Sequence, residues 1–207
     1  MTRRKLIRQN KFPYHVTSRT NNKCWFGIPL YAVWDFSIES LKYAIEKVPV
    51  EIHCFVLMGN HYHLLLSTPG EDIDQFMRFF NSKLAKLISK KSKTINHRFS
   101  NRYKWSIVDN SNYLLNVYRY IYQNPVRAQI IDTCKRYPFS SLNFTDEVSR
   151  VLNHRPHINY FEEKEWIEKL CGDDFDSILR KSLKKERFMA SNNISTFHRN
   201  ILDNPKG

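Results

Sequence analysis

The sequence predicts an α+β protein in which helices pack on an antiparallel sheet. Two apolar runs, 52–58 and 64–66, flank Gly59-Asn60. This dipeptide is typical of a hairpin turn because both residues tolerate positive φ. Segments with apolar residues at helical spacing lie before and after the hairpin. The resulting order of strand, helix, two strands, helix, strand and helix predicts a sheet with its helices on one face.

The elements before the hairpin are an arm, a strand and a helix. Residues 1–12 are rich in Lys and Arg, which predicts a basic arm that is flexible on its own. Residues 13–20 alternate and are β-prone, so they are expected to form the first strand. A helix is expected from Pro29 to about Lys47, and Pro49 ends it.

Four more elements are expected after the hairpin. Acids within 71–74 favour a helix N-terminus, where they complement the helix dipole. Residues 103–109 predict a strand. A helix follows over 112–123, and Pro125 should end or kink it. The last third predicts a small helical C-terminal extension, with short helices over 161–170 and 175–185 and a frayed end from about residue 190.

The charge distribution indicates a polyanionic partner. The formal net charge is +13, and no acid occurs in 1–34 or in 77–105. Such an excess points first to nucleic acid. Lys83, Lys86 and Lys90 lie largely off the apolar face of the second helix. They form either a solvated face or a row of phosphate contacts, and the basic loop that follows favours the second interpretation.

Other classes of protein are disfavoured. No stretch approaches the length of a membrane span, and the basic N-terminus lacks a following apolar segment. We therefore expect a soluble cytoplasmic protein with no membrane partner. The scattered cysteines contain no CxxC pair, which argues against a zinc knuckle and a disulfide framework.

His61 and His63 are the first candidate site. Residues two apart on a strand point to the same face, so both imidazoles project together while Tyr62 points the other way. Such a pair forms half of a metal site, or else it merely caps a sheet end. His15, on the first strand, is expected to be a core neighbour or a DNA contact.

The helix over 112–123 carries the second candidate site. Asn116, Tyr120 and Asn124 are four apart and share one face. Tyr118 falls on the apolar stripe and is expected in the core. Tyr122 lies about 200° around the helix from Tyr120 and should face away from it.

In its combination of motifs the sequence resembles the HUH single-tyrosine transposases, and most closely the REP-associated tyrosine transposases. The matching pieces, in order, are RRKLIR, YHVTSRTNN, CFVLMGNHYHLLL, YRYIYQNPVRA and YPFSSL. The resemblance covers about residues 1–143, which would be the catalytic domain with its basic arm. Residues 144–207 would be an extension of unassigned role. The resemblance implies the ferredoxin-like, RRM-like HUH nuclease fold.

The resemblance also implies a reaction and a set of site residues. His61, His63 and Asn124 would ligate a divalent metal, Mg²⁺ or Mn²⁺, and Tyr120 would be the nucleophile. Cleavage and rejoining of hairpin-bearing single-stranded DNA would pass through a 5′-phosphotyrosine. The expected partners are repetitive palindromic hairpins, bound by a monomer or a homodimer. The residues expected to bind DNA are Arg3, Arg4, Lys5, Arg8, Lys83, Lys86, Lys90 and Arg127.

Two other functions are weighed against this one. A domesticated nucleic-acid-binding protein would keep the fold without catalysis, and the intact His61, His63, Tyr120 and Asn124 set speaks against it. A metal-dependent hydrolase that uses water is disfavoured, because HExxH is absent and no carboxylate cluster is visible.

Overall fold

A four-stranded antiparallel sheet with strand order β2-β3-β1-β4 forms the centre of the fold. The computed structural model describes residues 5–93, 99 and 102–206. Short 3₁₀ turns occur at Asn21–Lys23 and Ser141–Asn143. The strands are β1 Tyr14–Arg19, β2 Glu51–Leu57, β3 His61–Ser67 and β4 Lys104–Ile107. The helices are α1 Leu30–Lys47, α2 Ile73–Ser92, α3 Ser111–Tyr122, α4 Asn124–Arg127, α5 Asp146–Val151, α6 Lys164–Glu168, α7 Asp173–Ser182 and α8 Thr196–Asp203.

Helices cover both faces of the sheet, so the expectation of helices on one face is wrong. α1 and α2 pack on the face that carries Phe55 and Tyr62, and Tyr62 donates a hydrogen bond to Asn81 Oδ1 of α2 at 2.7 Å. α3 packs on the opposite face, against Val56 and Leu65. β2 and β3 are apolar on both faces because each face has its own helical layer.

The pairing of β1 with β3 decides which side chains meet on the α3 face. Thr17 lies opposite His63, and Arg19 lies opposite His61. His15, two residues from Thr17, therefore shares their face and is a diagonal neighbour of His63. In the same way β4 places Ser106 opposite His15.

The C-terminal extension belongs to the core on the α3 face. Phe175 and Leu179 of α7 are buried in the same apolar cluster as Tyr118 and Ile121. The expected frayed end is also wrong, since α8 forms and Leu202 is fully buried.

Asn116 explains why the chain end is ordered. Its Nδ2 group donates hydrogen bonds to the carbonyls of Leu202, at 3.0 Å, and Asn112. Polar side chains on α3 are therefore partners for the backbone of α8.

The part of the arm that the structure describes is anchored, although the sequence predicted flexibility. Leu6 and Ile7 pack against the core of the α1 and α2 layer. Arg8 forms a two-pronged ion pair with Asp74 at 2.9 Å. No helix in the described part of the chain is both long and apolar enough to cross a bilayer.

Candidate active site

One cavity of about 770 Å³ gathers the side chains that the sequence singles out. His61, His63, Tyr120 and Asn124 all line it. The histidines come from β3, while Tyr120 belongs to the last turn of α3 and Asn124 opens α4. The chain kinks at Gln123, as Pro125 predicted, and Asn124 starts a new short helix at the cavity wall.

Both histidines are held through their Nδ1 atoms. His61 Nδ1 lies 2.6 Å from Asn60 Oδ1, an acceptor, so this nitrogen carries the proton. His63 Nδ1 lies 2.9 Å from His15 Nε2. If Nδ1 is the protonated nitrogen in both rings, both Nε2 atoms keep a lone pair for a cation.

Burial keeps the imidazoles neutral. It lowers the pKa of His61 to about 4 and the pKa of His15 to about 3. Burial also lowers the pKa of His63 well below its usual value, helped by the neighbouring His15 and His61. Metal binding requires neutral imidazole, so the pair is in the protonation state that a cation needs at neutral pH.

Tyr120 lies beside His63 in the cavity. The two rings meet edge to face with centroids 5.8 Å apart, and the His15 ring is 6.5 Å from Tyr120. Tyr120 is only 5% exposed, so its phenol is reached through the cavity. A phenol and two imidazoles thus share one water-accessible chamber.

Arg127 fixes Tyr120 and Asn124 relative to each other. Its guanidinium donates to the Tyr120 carbonyl at 2.9 Å and to Asn124 Oδ1 at 3.1 Å. It also forms an ion pair with Asp176 of α7 at 2.9 Å. The Arg127 side chain is 11% exposed, so this predicted DNA contact is largely occupied by protein partners.

The other tyrosines of α3 point elsewhere. Tyr118 Oη accepts the backbone N–H of His157 at 3.0 Å within the core, as expected. Tyr122 faces away from the cavity, also as expected, and its hydroxyl lies 3.1 Å from Ser141 Oγ. Tyr113 packs against Phe188.

Basic side chains surround the cavity, and two of them come from the C-terminal extension. We call this set the basic rim. Arg180 lies in α7, and Lys184 lies just after it. The charge pattern of the sequence did not identify these two residues, because the stretch around their helix is rich in acids. The basic rim consists of Arg19, Lys23, Arg102, Lys104, Arg180 and Lys184.

The lysines of α2 lie away from the cavity. α2 occupies the opposite face of the sheet, and Lys83 pairs there with Glu39 at 2.9 Å. Lys86 and Lys90 are exposed on the same helix. Lys5 is exposed on the arm, whereas Arg3 and Arg4 fall outside the described residues.

The two histidines need an amide oxygen as a third donor to form a site for a hard or borderline divalent cation. Among the described residues, no three His, Cys, Asp or Glu side chains are grouped to hold a metal. Two imidazoles and the Asn124 amide oxygen line one cavity, and that oxygen accepts one hydrogen bond, from Arg127. Its second lone pair remains for a cation, so the residues present fit Mg²⁺ or Mn²⁺.

The sequence predicted His15 as a core neighbour or a DNA contact, and it is buried beside His63, a contact that was not predicted; Asp176 was not singled out. Alternation along 13–20 puts His15 on one face of its strand, but only the pairing with β3 places it against His63. Asp176 gave no signal, because its partner Arg127 lies 49 positions away.

Comparisons with solved structures find two transposases among the matches. A REP-associated tyrosine transposase bound to a REP hairpin matches with TM-score 0.58 and 18% identity, covering 94% of this chain and 100% of that one. A putative transposase from Deinococcus radiodurans R1 matches with TM-score 0.38 and 18% identity, covering 63% of this chain and 91% of that one. A search of curated proteins finds no match.

The first solved structure shares the fold, and its coverage extends past residue 143 into the C-terminal extension. The family model described as "Transposase IS200 like" matches residues 9–124. That range contains the histidine pair, Tyr120 and Asn124, and it makes up more than half of the sequence. The chain therefore belongs to the IS200-like transposase family.

Proposed function

We propose that this protein is a metal-dependent single-stranded DNA endonuclease and strand transferase of the REP-associated type. The observation that carries the proposal is the shared cavity, in which the Tyr120 ring lies 5.8 Å from the ring of His63, itself next to His61. A nucleophile beside a cation-binding pair is the arrangement that phosphoryl transfer needs.

Tyr120 is the proposed nucleophile. Its Oη attacks the scissile phosphorus, which forms the phosphotyrosine bond and breaks the bond to the 3′-oxygen. The phenol proton passes to solvent, and the departing 3′-oxygen takes up a proton to become a hydroxyl. The phosphotyrosine keeps the phosphodiester energy, so attack by a 3′-hydroxyl in the reverse sense joins strands without ATP.

His61, His63 and Asn124 are the proposed metal ligands. A bound Mg²⁺ or Mn²⁺ supplies charge neutralisation on the phosphate oxygens. The protein's own contribution is orientation: Asn60 holds the ring of His61, and Arg127 holds the Asn124 amide and the Tyr120 backbone. His61 and Asn124 are therefore each held by a hydrogen bond to a residue that is not itself a proposed ligand.

The proposed substrate is a single strand next to a hairpin of the repetitive palindromic kind. The solved relative is bound to a REP hairpin. In this chain the basic rim surrounds the cavity and suits a phosphate backbone leading to Tyr120. The α2 lysines would hold DNA at a distance from the cleaved bond, because they lie across the sheet.

A covalent-capture assay tests the proposal. A labelled hairpin oligonucleotide with single-stranded flanks is incubated with protein and Mn²⁺ and then run on a denaturing gel. We expect a protein–DNA adduct that EDTA abolishes and that Tyr120→Phe lacks. Tyr122→Phe is the matched control, since it removes a phenol oxygen of the same helix that faces away from the cavity, and it should retain the adduct.

The same assay distinguishes a domesticated DNA-binding protein. Tight hairpin binding by the wild-type protein with no adduct in Mn²⁺ or Mg²⁺ would exclude the transferase proposal. An adduct that persists in Tyr120→Phe would assign the nucleophile to another residue.

A further inference from the structure

The hydrogen bond between His15 and His63 bears on which nitrogen of His63 is free to bind a cation. His15 Nε2 lies 2.9 Å from His63 Nδ1, and the two rings are stacked with an interplanar angle of 26°. His15 is 3% exposed and His63 is 5% exposed. In such a buried pair the bond has one proton, which resides either on His63 Nδ1 or on His15 Nε2.

Only one of these two arrangements leaves His63 competent as a ligand. With the proton on His63 Nδ1, the Nε2 atom of His63 carries a free lone pair. With the proton on His15 Nε2, the neutral His63 ring carries its own proton on Nε2 and cannot bind a cation there. His15 must therefore accept through Nε2 and carry its own proton on Nδ1.

A third strand places a buried hydroxyl opposite His15. Ser106 of β4 lies directly opposite His15 in the sheet. Its Oγ is fully buried and has no hydrogen-bond partner in the described part of the chain. Directly opposed residues have Cβ atoms about 4.5–5.5 Å apart, which is within reach of a small side-chain rotation. Ser106 Oγ can therefore accept the His15 Nδ1 proton, although a hydroxyl can also donate and does not by itself select this arrangement.

We propose that His15 is a positioning residue that fixes the tautomer and ring orientation of His63, with Ser106 as its support. The inference rests on the proposed function, because His63 is assigned there as a ligand. Outer partners of metal-binding histidines typically contribute 10–100-fold to metal affinity. His15 acts without touching the metal or the DNA.

Two substitutions separate this role from simple packing. His15→Leu fills the space and removes the acceptor, whereas His15→Gln keeps an amide oxygen that can accept from His63 Nδ1. The readouts are Mn²⁺ affinity by calorimetry and the protonation of His63 in the metal-free protein by imidazole ¹⁵N NMR. The resonances of His63 are identified by their absence from His63→Gln.

We expect Nδ1–H on His63 in the wild-type protein and in His15→Gln, and a shift towards Nε2–H in His15→Leu. Mn²⁺ affinity should fall 10–100-fold in His15→Leu and stay within about threefold in His15→Gln. Equal affinity in all three proteins, or an equal loss in both variants, would overturn the positioning role. If the wild-type protein itself shows no Mn²⁺ binding that depends on His61, the metal site of the proposed function fails as well.

Discussion

The guanidinium of Arg127 lies 4.4 Å from the ring centroid of Tyr120 and pairs with Asp176, so a residue of the C-terminal extension is one contact away from the proposed nucleophile. Asp176 is buried, and the Arg127 side chain is largely shielded from solvent. Burial raises the pKa of Asp176, although Arg127 opposes that rise, and burial lowers the pKa of Arg127. The extension therefore supports the site electrostatically as well as through packing.

Removing the charge of Asp176 should destabilise the protein and slow cleavage. Asp176→Asn leaves Arg127 buried without a counter-charge, and breaking such a pair costs about 3–5 kcal/mol. Urea unfolding measures the loss of stability, and adduct formation measures the activity.

An apolar double variant separates the two effects. Arg127→Met with Asp176→Leu replaces the pair with side chains of similar bulk, and stability should return to near the wild-type value. The adduct rate should stay low, because Tyr120 and Asn124 have lost their shared donor. A double variant that cleaves like the wild-type protein would show that the pair is purely structural.

The basic rim should account for much of the binding of a strand that has no stem. Neutralising Arg180 and Lys184 together, as Arg180→Gln with Lys184→Gln, removes up to two phosphate contacts. The slope of log affinity against log salt should become shallower by up to about 1.4. Fluorescence anisotropy of a stemless oligonucleotide at several salt concentrations measures this slope.

A matched pair on the opposite face controls for net charge. Lys42→Gln with Lys47→Gln removes the same charge from α1, across the sheet from the cavity, and should leave the slope unchanged. If both pairs alter the slope equally, the rim has no special role. A third pair, Lys86→Gln with Lys90→Gln, titrated with a stem-bearing hairpin, tests whether these lysines hold the stem.

Trp25 should act as a stacking platform for an unpaired base. It is 82% exposed and lies against the Gly59-Asn60 turn, next to His61. Stacking on an aromatic residue contributes about 1–3 kcal/mol per base, so Trp25→Ala should weaken single-strand binding about fivefold or more. Trp25→Phe should retain most of the affinity.

Another exposed aromatic residue provides the control for Trp25. Phe161 is 78% exposed on the extension, and Phe161→Ala should leave binding unchanged. Equal affinities for wild-type protein and Trp25→Ala would rule out the platform. Two other aromatic residues are less suited to stacking on a base, because Trp105 is buried in the core and Phe99 packs against Tyr62.

Stability should decrease as the pH falls from 6.5 towards 4. Burial lowers the pKa of His53 to about 4, and its ring nitrogens bond the Arg155 carbonyl at 2.6 Å and Ser67 Oγ at 2.7 Å. Between these pH values His53 is protonated in the unfolded chain and neutral in the folded protein. Protonation therefore favours unfolding in this window, and the stabilisation is complete only above pH 6.5.

Substitution of His53 isolates its share of this effect. In His53→Gln one proton fewer should be taken up on unfolding near pH 5.5. The free energy of unfolding should therefore change with pH less steeply, by about 1.36 kcal/mol per pH unit. Urea titrations at pH 5, 6 and 7 measure the slope. His198, half-buried on α8, supplies a control, since an equal change of slope in His198→Gln would show that the effect is not specific to His53.

Local patterns predicted the elements that depend on neighbouring residues. The end of α3 just before Pro125 follows from the missing N–H of proline, and a hairpin forms at Gly59-Asn60 as predicted, although neither residue adopts the positive φ on which that prediction rested. Local patterns also determined that Tyr120 and Tyr122 point apart. The His61 and His63 pair needed only the two-residue alternation of a strand.

Features that depend on distant pairing were not predictable in this way. His15 meets His63 because β1 pairs with β3 in one register, and no local pattern determines that register. Asp176, Arg180 and Lys184 lie near the cavity because the extension packs on α3. The second helical layer was not predicted. An apolar strand indicates that both of its faces are buried, but it does not indicate which elements cover each face.

The ion pair between Arg127 and Asp176 also links the proposed catalysis to the presence of α7. A chain interrupted before α7 would contain both histidines, the phenol and Asn124, yet its arginine would lack the carboxylate that anchors it. Unfinished or clipped molecules should therefore be poor at the proposed strand cleavage.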